Sequence, residues 1–356
     1  MSSSLDTVSL GLLEILQRGV PLVDRPFLSM GTALGISERA AIERVAILRG
    51  KVIRQISAIF DSRALGYQSC LVAAKVDESL IDQAAARISE HPGVSHNYRR
   101  NHSFNLWYTL AVPPGSRFGL EGTVDILHER SGADSMRLLP ALKMYKISVK
   151  FDLSGEADAV AREKGTAPTR PIIERPWRTV TSRDRRMMRV LQQDLPLIAE
   201  PFDLWAQQAG VTTEQLLAAA QSYIEAGTMR RFAAVLRHRE AGVSANAMGA
   251  WIVERDRQDR FGEIAASFSA VSHCYLRPTY PDWPYSIFTM VHGTQPSDCA
   301  SALTAISEAS GVRQYASLYS THEYKKVRVK YFTDDIERWE RECEESLSVR
   351  SACHAG

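Results

Sequence analysis

The 356-residue chain carries 43 Lys and Arg against 41 Asp and Glu, with 45% apolar and 24% charged residues. It is longer than one usual domain and ordinary in composition, which excludes a disulfide-held miniature and a disordered chain and predicts two or more domains. A net charge of +2 gives no whole-protein footprint for nucleic acid, so an anionic partner must be met by a local patch.

The segment up to Gln17 contains Glu14 and has no basic residue ahead of its apolar stretch, unlike a signal peptide. No run of about eighteen apolar residues occurs, so no membrane span is expected. Cys70, Cys274, Cys299, Cys343 and Cys353 are odd in number and form no C-x-x-C pair. They suggest neither a disulfide framework nor a thiolate metal cluster, and a cytoplasmic location is expected.

From Phe27 to Leu34 the chain reads as a short helix; Gly35 turns it, and Ser37 caps a second helix with Ile42, Val45, Ala46 and Leu48 at helical spacing. Lys51 to Phe60 alternates as a strand does. Helix, turn, helix and hairpin predict a winged helix-turn-helix over residues 8–63. Then come a strand Tyr67–Val76, a helix Ser79–Glu90, strands Val94–Arg100 and Asn105–Val112, a helix Thr123–Gly132 and a strand Tyr145–Asp152. That β-α-β-β-α-β order predicts a ferredoxin-like sandwich over 64–153. Residues 154–182, with Gly155, Gly165, Pro168, Pro171 and Pro176, read as a linker.

The pattern then repeats. A second winged helix-turn-helix over 183–240 has a helix Asp203–Ala209, a turn at Gly210, a helix from the cap Thr212 to Ala226, Gly227 as its stop and a strand through Leu236. A second sandwich over 241–345 has strands Asn246–Val253, Ala270–Arg277, Tyr285–His292 and Lys325–Phe332, with helices Gly262–Ser267 and Cys299–Ser310. Val94-Ser95-His96-Asn97-Tyr98-Arg99-Arg100 recurs as Val271-Ser272-His273-Cys274-Tyr275-Leu276-Arg277, and Pro26-Phe27 as Pro201-Phe202. The fold class is therefore α+β, a tandem duplication in which each half is a winged helix-turn-helix followed by a βαββαβ sandwich. This arrangement resembles the Lrp/AsnC regulators.

DNA recognition helices need Lys or Arg to neutralise phosphates. Thr212 to Ala226 has none, and in the first half Glu38 and Glu43 offset Arg39, Arg44 and Arg49. No nucleic-acid partner is expected, because a fold does not dictate a function.

Both halves carry His-x-Tyr-x-Arg. On a strand these residues share one face, so His96, Tyr98 and Arg100 line one surface and His273, Tyr275 and Arg277 another. Arg grips carboxylates bidentately and His exchanges a proton near neutral pH, which suits a carboxylated substrate. The alternative is a structural His and Tyr satisfied by hydrogen bonds, with the Arg in a surface pair. Arg230, Arg231, Arg237 and Arg239 make the second wing basic, and Lys326 and Arg328 lie on the cation-rich segment Tyr324 to Lys330, which reads equally as a solvated edge or an anion site. Lys146 is on its first-half counterpart. Trp283 and Tyr285 belong to the aromatic loop Pro278 to Tyr285, where rings beside cations suit a flat polyanion and loop packing is the alternative. No H-x-x-x-H or H-E-x-x-H spacing and no Gly-rich phosphate loop occurs, so no protein-held metal and no nucleotide cofactor is expected.

The segments His91-Pro92-Gly93-Val94-Ser95-His96-Asn97-Tyr98, Asn105-Leu106-Trp107-Tyr108-Thr109-Leu110, Val271-Ser272-His273-Cys274-Tyr275, Pro281-Asp282-Trp283-Pro284-Tyr285 and Thr289-Met290-Val291-His292-Gly293 resemble the siroheme decarboxylases, over essentially both halves. Members of that family usually pair two related subunits; here the two look fused, as in the form associated with haem d1 biosynthesis.

The resemblance implies conversion of siroheme to 12,18-didecarboxysiroheme, two acetate side chains becoming methyl groups with loss of two CO2, in haem d1 or alternative haem biosynthesis. It implies no added cofactor, since the iron arrives with the substrate. His96 and His273 would be general acids, Tyr98 and Tyr275 would position the reacting group, and Arg100 and Arg277 would orient carboxylates, with the other basic residues and the aromatic loop binding the macrocycle. Divergence between the halves suggests one site between the sandwiches, dominated by second-half residues and completed by His96. The fused chain is an intrachain pseudo-dimer, or dimerises further. The alternative is a tetrapyrrole-sensing Lrp/AsnC-type regulator, whose hallmark would be basic recognition helices.

Overall fold

The computed structural model describes residues 5–147, 170–171, 180–236 and 245–354. Asp6 accepts from the Ser9 amide and starts α1 (Thr7–Arg18). Pro26 opens α2 (Pro26–Ala33), Gly35 supplies the turn at a φ of 67°, and Ser37 caps α3 (Glu38–Lys51). There follow β1 (Ile53–Phe60), β2 (Gln68–Lys75), α4 (Ile81–Glu90), β3 (Val94–Arg100), β4 (Leu106–Val112), α5 (Gly119–Ser131), β5 (Ser135–Leu139), β6 (Lys143–Ile147) and the two-residue β7 (Arg170–Pro171). The second half runs α6 (Ser182–Leu191), α7 (Pro201–Ala209), α8 (Thr213–Glu225), β8 (Met229–Leu236), β9 (Ala245–Trp251), α9 (Gln258–Ala266), β10 (Val271–Leu276), β11 (Ile287–Gly293), α10 (Pro296–Ser310), β12 (Tyr315–Lys326) and α11 (Asp335–His354). Reciprocal caps from Thr181 and Thr212 start α6 and α8. α1, α6, β5, α11 and β7, which lies within the expected linker, have no counterpart among the expected elements.

The described parts of Met1–Tyr67, Arg175–His238 and Lys330–Thr333 form one unit. Its helix-turn-helix elements are as expected, but its wing is not. In place of a hairpin in each half, β1 of one half pairs antiparallel with β8 of the other, with Ser57 opposite Ala233. A lone strand leaves a row of unpaired amides and carbonyls, and the duplicated partner satisfies them. Trp205 packs edge-on against Phe202 and Phe232 in the core beneath this ribbon, and those two rings are tilted against each other. On α3, Arg39 pairs with Glu43 at 2.8 Å, Arg44 with Asp6 at 2.6 Å and Arg49 with Asp194 at 3.3 Å. The expected mixed-charge face is thus a set of ion pairs.

The described parts of Gln68–Glu174, Arg239–Val329 and Asp334–Gly356 form the second unit. Its ten-stranded sheet has the order β5-β2-β4-β3-β12-β9-β11-β10-β6-β7. Two predicted strands change place here. The fourth strand of the first sandwich is β5, paired with β2, and the segment expected there, Tyr145–Asp152, instead enters the second sandwich as β6 beside β10. Residues 148–152 of that segment lie outside the described residues, as does most of the expected linker.

In the second half the expected strand Lys325–Phe332 begins ten residues earlier and ends at Lys326. Residues 315–319 of β12 complete their own sandwich against β9, and residues 320–326 cross to pair with β3 of the first. Each half thus lends its last strand to the other. Pairing satisfies the outer edges of β3 and β10, which the predicted topology would have left open.

Helices cover one face of each sandwich. Val72, Ala84, Ile88, Leu106 and Val124 build the first helix-covered core, to which α11 adds Trp339 and Cys343; Trp251, Phe261, Ala265, Val291 and Leu303 build the second. A third core, with Trp107, Met248, Trp283, Phe288 and Leu318, joins strands of both halves on the face away from the helices.

Candidate functional site

Strand alternation does what the sequence implied. Asn97 points into the helix-covered core and donates to Ala85 O and Ser89 Oγ at 3.1 Å, so its neighbours His96 and Tyr98 face the other way. The His96 and Tyr98 rings lie 6.1 Å apart at 29°, and the Arg100 guanidinium sits 6.0 Å from the Tyr98 ring. The second half repeats this. His273 and Tyr275 are 6.1 Å apart at 29°, and Arg277 is 5.1 Å from Tyr275. Cys274 takes the place of Asn97 in the core, where burial pushes its thiol pKa far up.

Each set is completed by the strand from the opposite half. Lys326 stands opposite His96 and Glu323 opposite Tyr98; Ile147 stands opposite His273 and Met144 opposite Tyr275. The first site is therefore edged by charges and the second by apolar side chains. Burial, with a smaller effect from the Glu323 carboxylate, pushes the Tyr98 phenol up to about 12. Burial, reinforced by the Arg277 cation, lowers the His273 pKa below its usual value. Three strands separate β3 from β10 in the sheet, so two sets stand where the sequence reading favoured one composite site.

The serine before each histidine bonds to it in both halves. Ser95 Oγ lies 2.9 Å from His96 Nδ1 and 2.6 Å from Thr109 Oγ1. Ser272 Oγ lies 2.7 Å from His273 Nδ1 and 2.7 Å from His292 Nε2. The repeated Val-Ser-His was the signal for both serines. His292 left no such trace, because its first-half counterpart is Ala111.

The arginines do more than face a ligand. Arg100 is 7% exposed and its Nη1 donates to Leu318 O at 3.0 Å, while Arg277 Nη1 donates to Leu139 O. Each crosses to the other half. Burial lowers the Arg100 pKa to about 10, and its Nε finds no hydrogen-bond partner among the described residues. A cleft of about 630 Å³ beside this set is walled by Glu78, Asp82, Arg99, Arg100, Asn101, His102, Thr321, His322 and Tyr324.

Other expected binding residues fall elsewhere. Lys146 is buried on the helix side, its Nζ donating to Phe268 O at 2.9 Å, and Lys325 holds Ser89 O at 2.6 Å in the equivalent place. The residue after each lysine faces the histidine instead. Trp283 is fully buried against Trp107 and Phe104, and Asp282 of the same loop is gripped by Arg137 at 2.8 Å. The loop packs around Trp283, and the Tyr285 ring is tilted against it at 55° with ring centres 4.7 Å apart.

Arg230 and Arg231 are on β8 in the first unit, where Arg230 pairs with Asp61 at 2.9 Å and Arg231 reaches Gln17 O. Arg328 lies just past β12 rather than on a strand, and Arg237 and Arg239 lie outside the described residues. Among the described residues no cluster of His, Cys, Asp and Glu is arranged to hold a metal ion, and no helix is long and apolar enough to cross a membrane.

The duplicated architecture defines a class: residues 64–146 and 240–325 match the AsnC-like ligand binding domain, and 11–54 and 184–230 the siroheme decarboxylase NirDL-like HTH domain. A siroheme decarboxylase of Hydrogenobacter thermophilus is 38% identical over 332 residues, 93% of this chain and 97% of that protein. The chain belongs to the siroheme decarboxylase family. A crystal structure of the siroheme decarboxylase NirDL in complex with an iron-uroporphyrin III analogue superposes with a TM-score of 0.76 at 33% identity, covering 96% of this chain and all of that one. The siroheme decarboxylase beta subunit of Methanosarcina barkeri is 40% identical over 147 residues, 41% of this chain and 97% of that subunit. In that relative, one half of the present architecture is a separate chain.

Proposed function

We propose that this chain decarboxylates siroheme to 12,18-didecarboxysiroheme, using the two His-Tyr-Arg sets. The observation that carries the reading is the identical ring geometry at His96–Tyr98 and His273–Tyr275 in a chain of this family. Each event breaks the bond between an acetate methylene and its carboxyl carbon. CO2 leaves, the electron pair spreads into the macrocycle, and the methylene carbon takes a proton to become methyl.

The chain's part is to bind, to desolvate and to supply that proton. His96 and His273 are the general acids, a role typically contributing about 10²- to 10⁴-fold. Tyr98 and Tyr275 position the reacting side chain, and Arg100 and Arg277 orient carboxylates while tying the sandwiches together. The apolar edge at Met144 and Ile147 suits the departure of a carboxylate, which is disfavoured by solvation. Lys326, Arg328 and Tyr285 are binding candidates on the same unit. Lys146 and Trp283 support the site from within, and Arg230 and Arg231 belong to β8 of the other unit.

No added cofactor enters this scheme, since the macrocycle itself stores the electrons. The partners are siroheme and its didecarboxylated product, with no nucleic acid, in keeping with the paired arginines of α3 and the absence of Lys and Arg from α8. The chain acts as its own pseudo-dimer. Among the described residues Cys70, Cys274, Cys299 and Cys343 are free and buried, which fits a reducing cytoplasm.

The test is to incubate the purified chain anaerobically with siroheme and no added cofactor, following the tetrapyrrole by mass spectrometry. Two successive losses of CO2 are expected. Tight binding with no mass change would favour a tetrapyrrole sensor instead.

A further inference from the structure

The two histidine sites differ in what stands behind the ring. In the first half the hydrogen-bond chain from His96 Nδ1 runs to Ser95 Oγ and on to the Thr109 hydroxyl. In the second, Met290 replaces Thr109 in the register, and the chain from His273 Nδ1 runs through Ser272 Oγ to His292 Nε2, each link 2.7 Å. Ser272 is 6% exposed, so this link is shielded from water.

A serine hydroxyl has one proton. An imidazolium at His273 has no lone pair, so its Nδ1–H must donate to Ser272 Oγ, and the hydroxyl's own proton is left for an acceptor, of which His292 Nε2 is 2.7 Å away. The competing acceptor, Met290 O, is farther away at 3.3 Å.

We propose that His292 is a positioning residue for His273, acting through Ser272. Neutral His292 accepts at Nε2 from the Ser272 hydroxyl, and Ser272 accepts from Nδ1–H of His273. The transferable proton of His273 is thereby confined to its other nitrogen, Nε2. When Nε2 gives that proton to the methylene carbon, His273 is left neutral with Nδ1 still protonated, and no hydrogen bond reverses. A protein that accepts from the imidazole's far side fixes its tautomer and supports the cation, as the third member of a catalytic triad does. That support opposes the burial and the Arg277 charge that disfavour protonated His273.

The inference rests on the proposed decarboxylation for its role but not for its test. Chains labelled with ¹⁵N-histidine, without siroheme, report the tautomer of each ring, assigned with His273→Gln and His96→Gln. His273 is expected as the Nδ1–H tautomer, the minor form of free imidazole. In His292→Ala the Ser272 hydroxyl turns to donate, and His273 reverts to Nε2–H; His292→Gln, whose Oε1 accepts, restores the first pattern. With siroheme, His292→Ala lowers kcat roughly ten- to a hundredfold, in the range of other outer-shell partners, with KM unchanged. The His96 signals stay as in the parent throughout. Nitrogen signals of His273 that are the same in the parent and in His292→Ala would overturn the proposal, whether or not the parent decarboxylates siroheme. A His292→Gln variant that behaves like His292→Ala would overturn it too.

Discussion

Arg100 of β3 donates to the carbonyl of Leu318 on β12, and Arg277 of β10 donates to Leu139 on β5, so each candidate carboxylate-binding arginine also ties its own half to the other. A buried charged hydrogen bond is worth about 1.5–3 kcal/mol. Arg100→Met, which keeps bulk, is expected to lower unfolding stability by that amount in urea titration and to weaken siroheme binding. Unchanged stability would remove the tie from the account.

The exchange of β6 and β12 makes each sandwich depend on the other. Cutting the chain at residue 160 and expressing the pieces together should give two fragments that copurify through a tag on one. Expressed alone, each leaves a strand edge exposed and should aggregate.

Gly93 marks a close approach. A Cβ there would stand 2.0 Å from Ala111 O, a backbone atom that cannot swing aside. Gly93→Ala is expected to cost about 1–3 kcal/mol by displacing β3 from β4, lowering the melting temperature.

Burial, with a smaller contribution from Lys325, pushes the His91 pKa down to about 3 from 6.5. The unfolded chain takes up this proton as pH falls through 6.5, while the folded chain resists until about 3. The contribution to stability is full above the upper value and is lost through that window at up to about 1.4 kcal/mol per pH unit. Gly93 N donates to His91 Nδ1 at 2.9 Å, so His91→Asn, which keeps an acceptor, should flatten the acid limb by about one proton. An unchanged slope would exclude His91 as a source of it.

Local signals made much of this legible. Ser37, Gly35 and Thr212 marked their helices, and the two-residue period placed His96, Tyr98 and Arg100 on one face with Asn97 on the other. Which half a strand joins carries no such mark, because Tyr145-Lys146-Ile147 alternates the same way beside β10 as it would beside β2. One register step also decides whether a residue faces the histidine or the core. Lys146 and Lys325 fall on the core side and Ile147 and Lys326 on the other, a difference that composition does not encode. The wing is illegible for the same reason, since β1 has the pattern of a hairpin strand and finds its partner 169 or more residues away.

The most direct measurement compares the parent with the double variant His96→Ala, His273→Ala in a single anaerobic turnover of siroheme, with binding read by absorbance and product by mass. The account expects the variant to bind siroheme and to lose CO2 at least about a hundredfold more slowly. Two losses of CO2 at the parent's rate would contradict it, and the proton would then have to come from somewhere other than these two imidazoles.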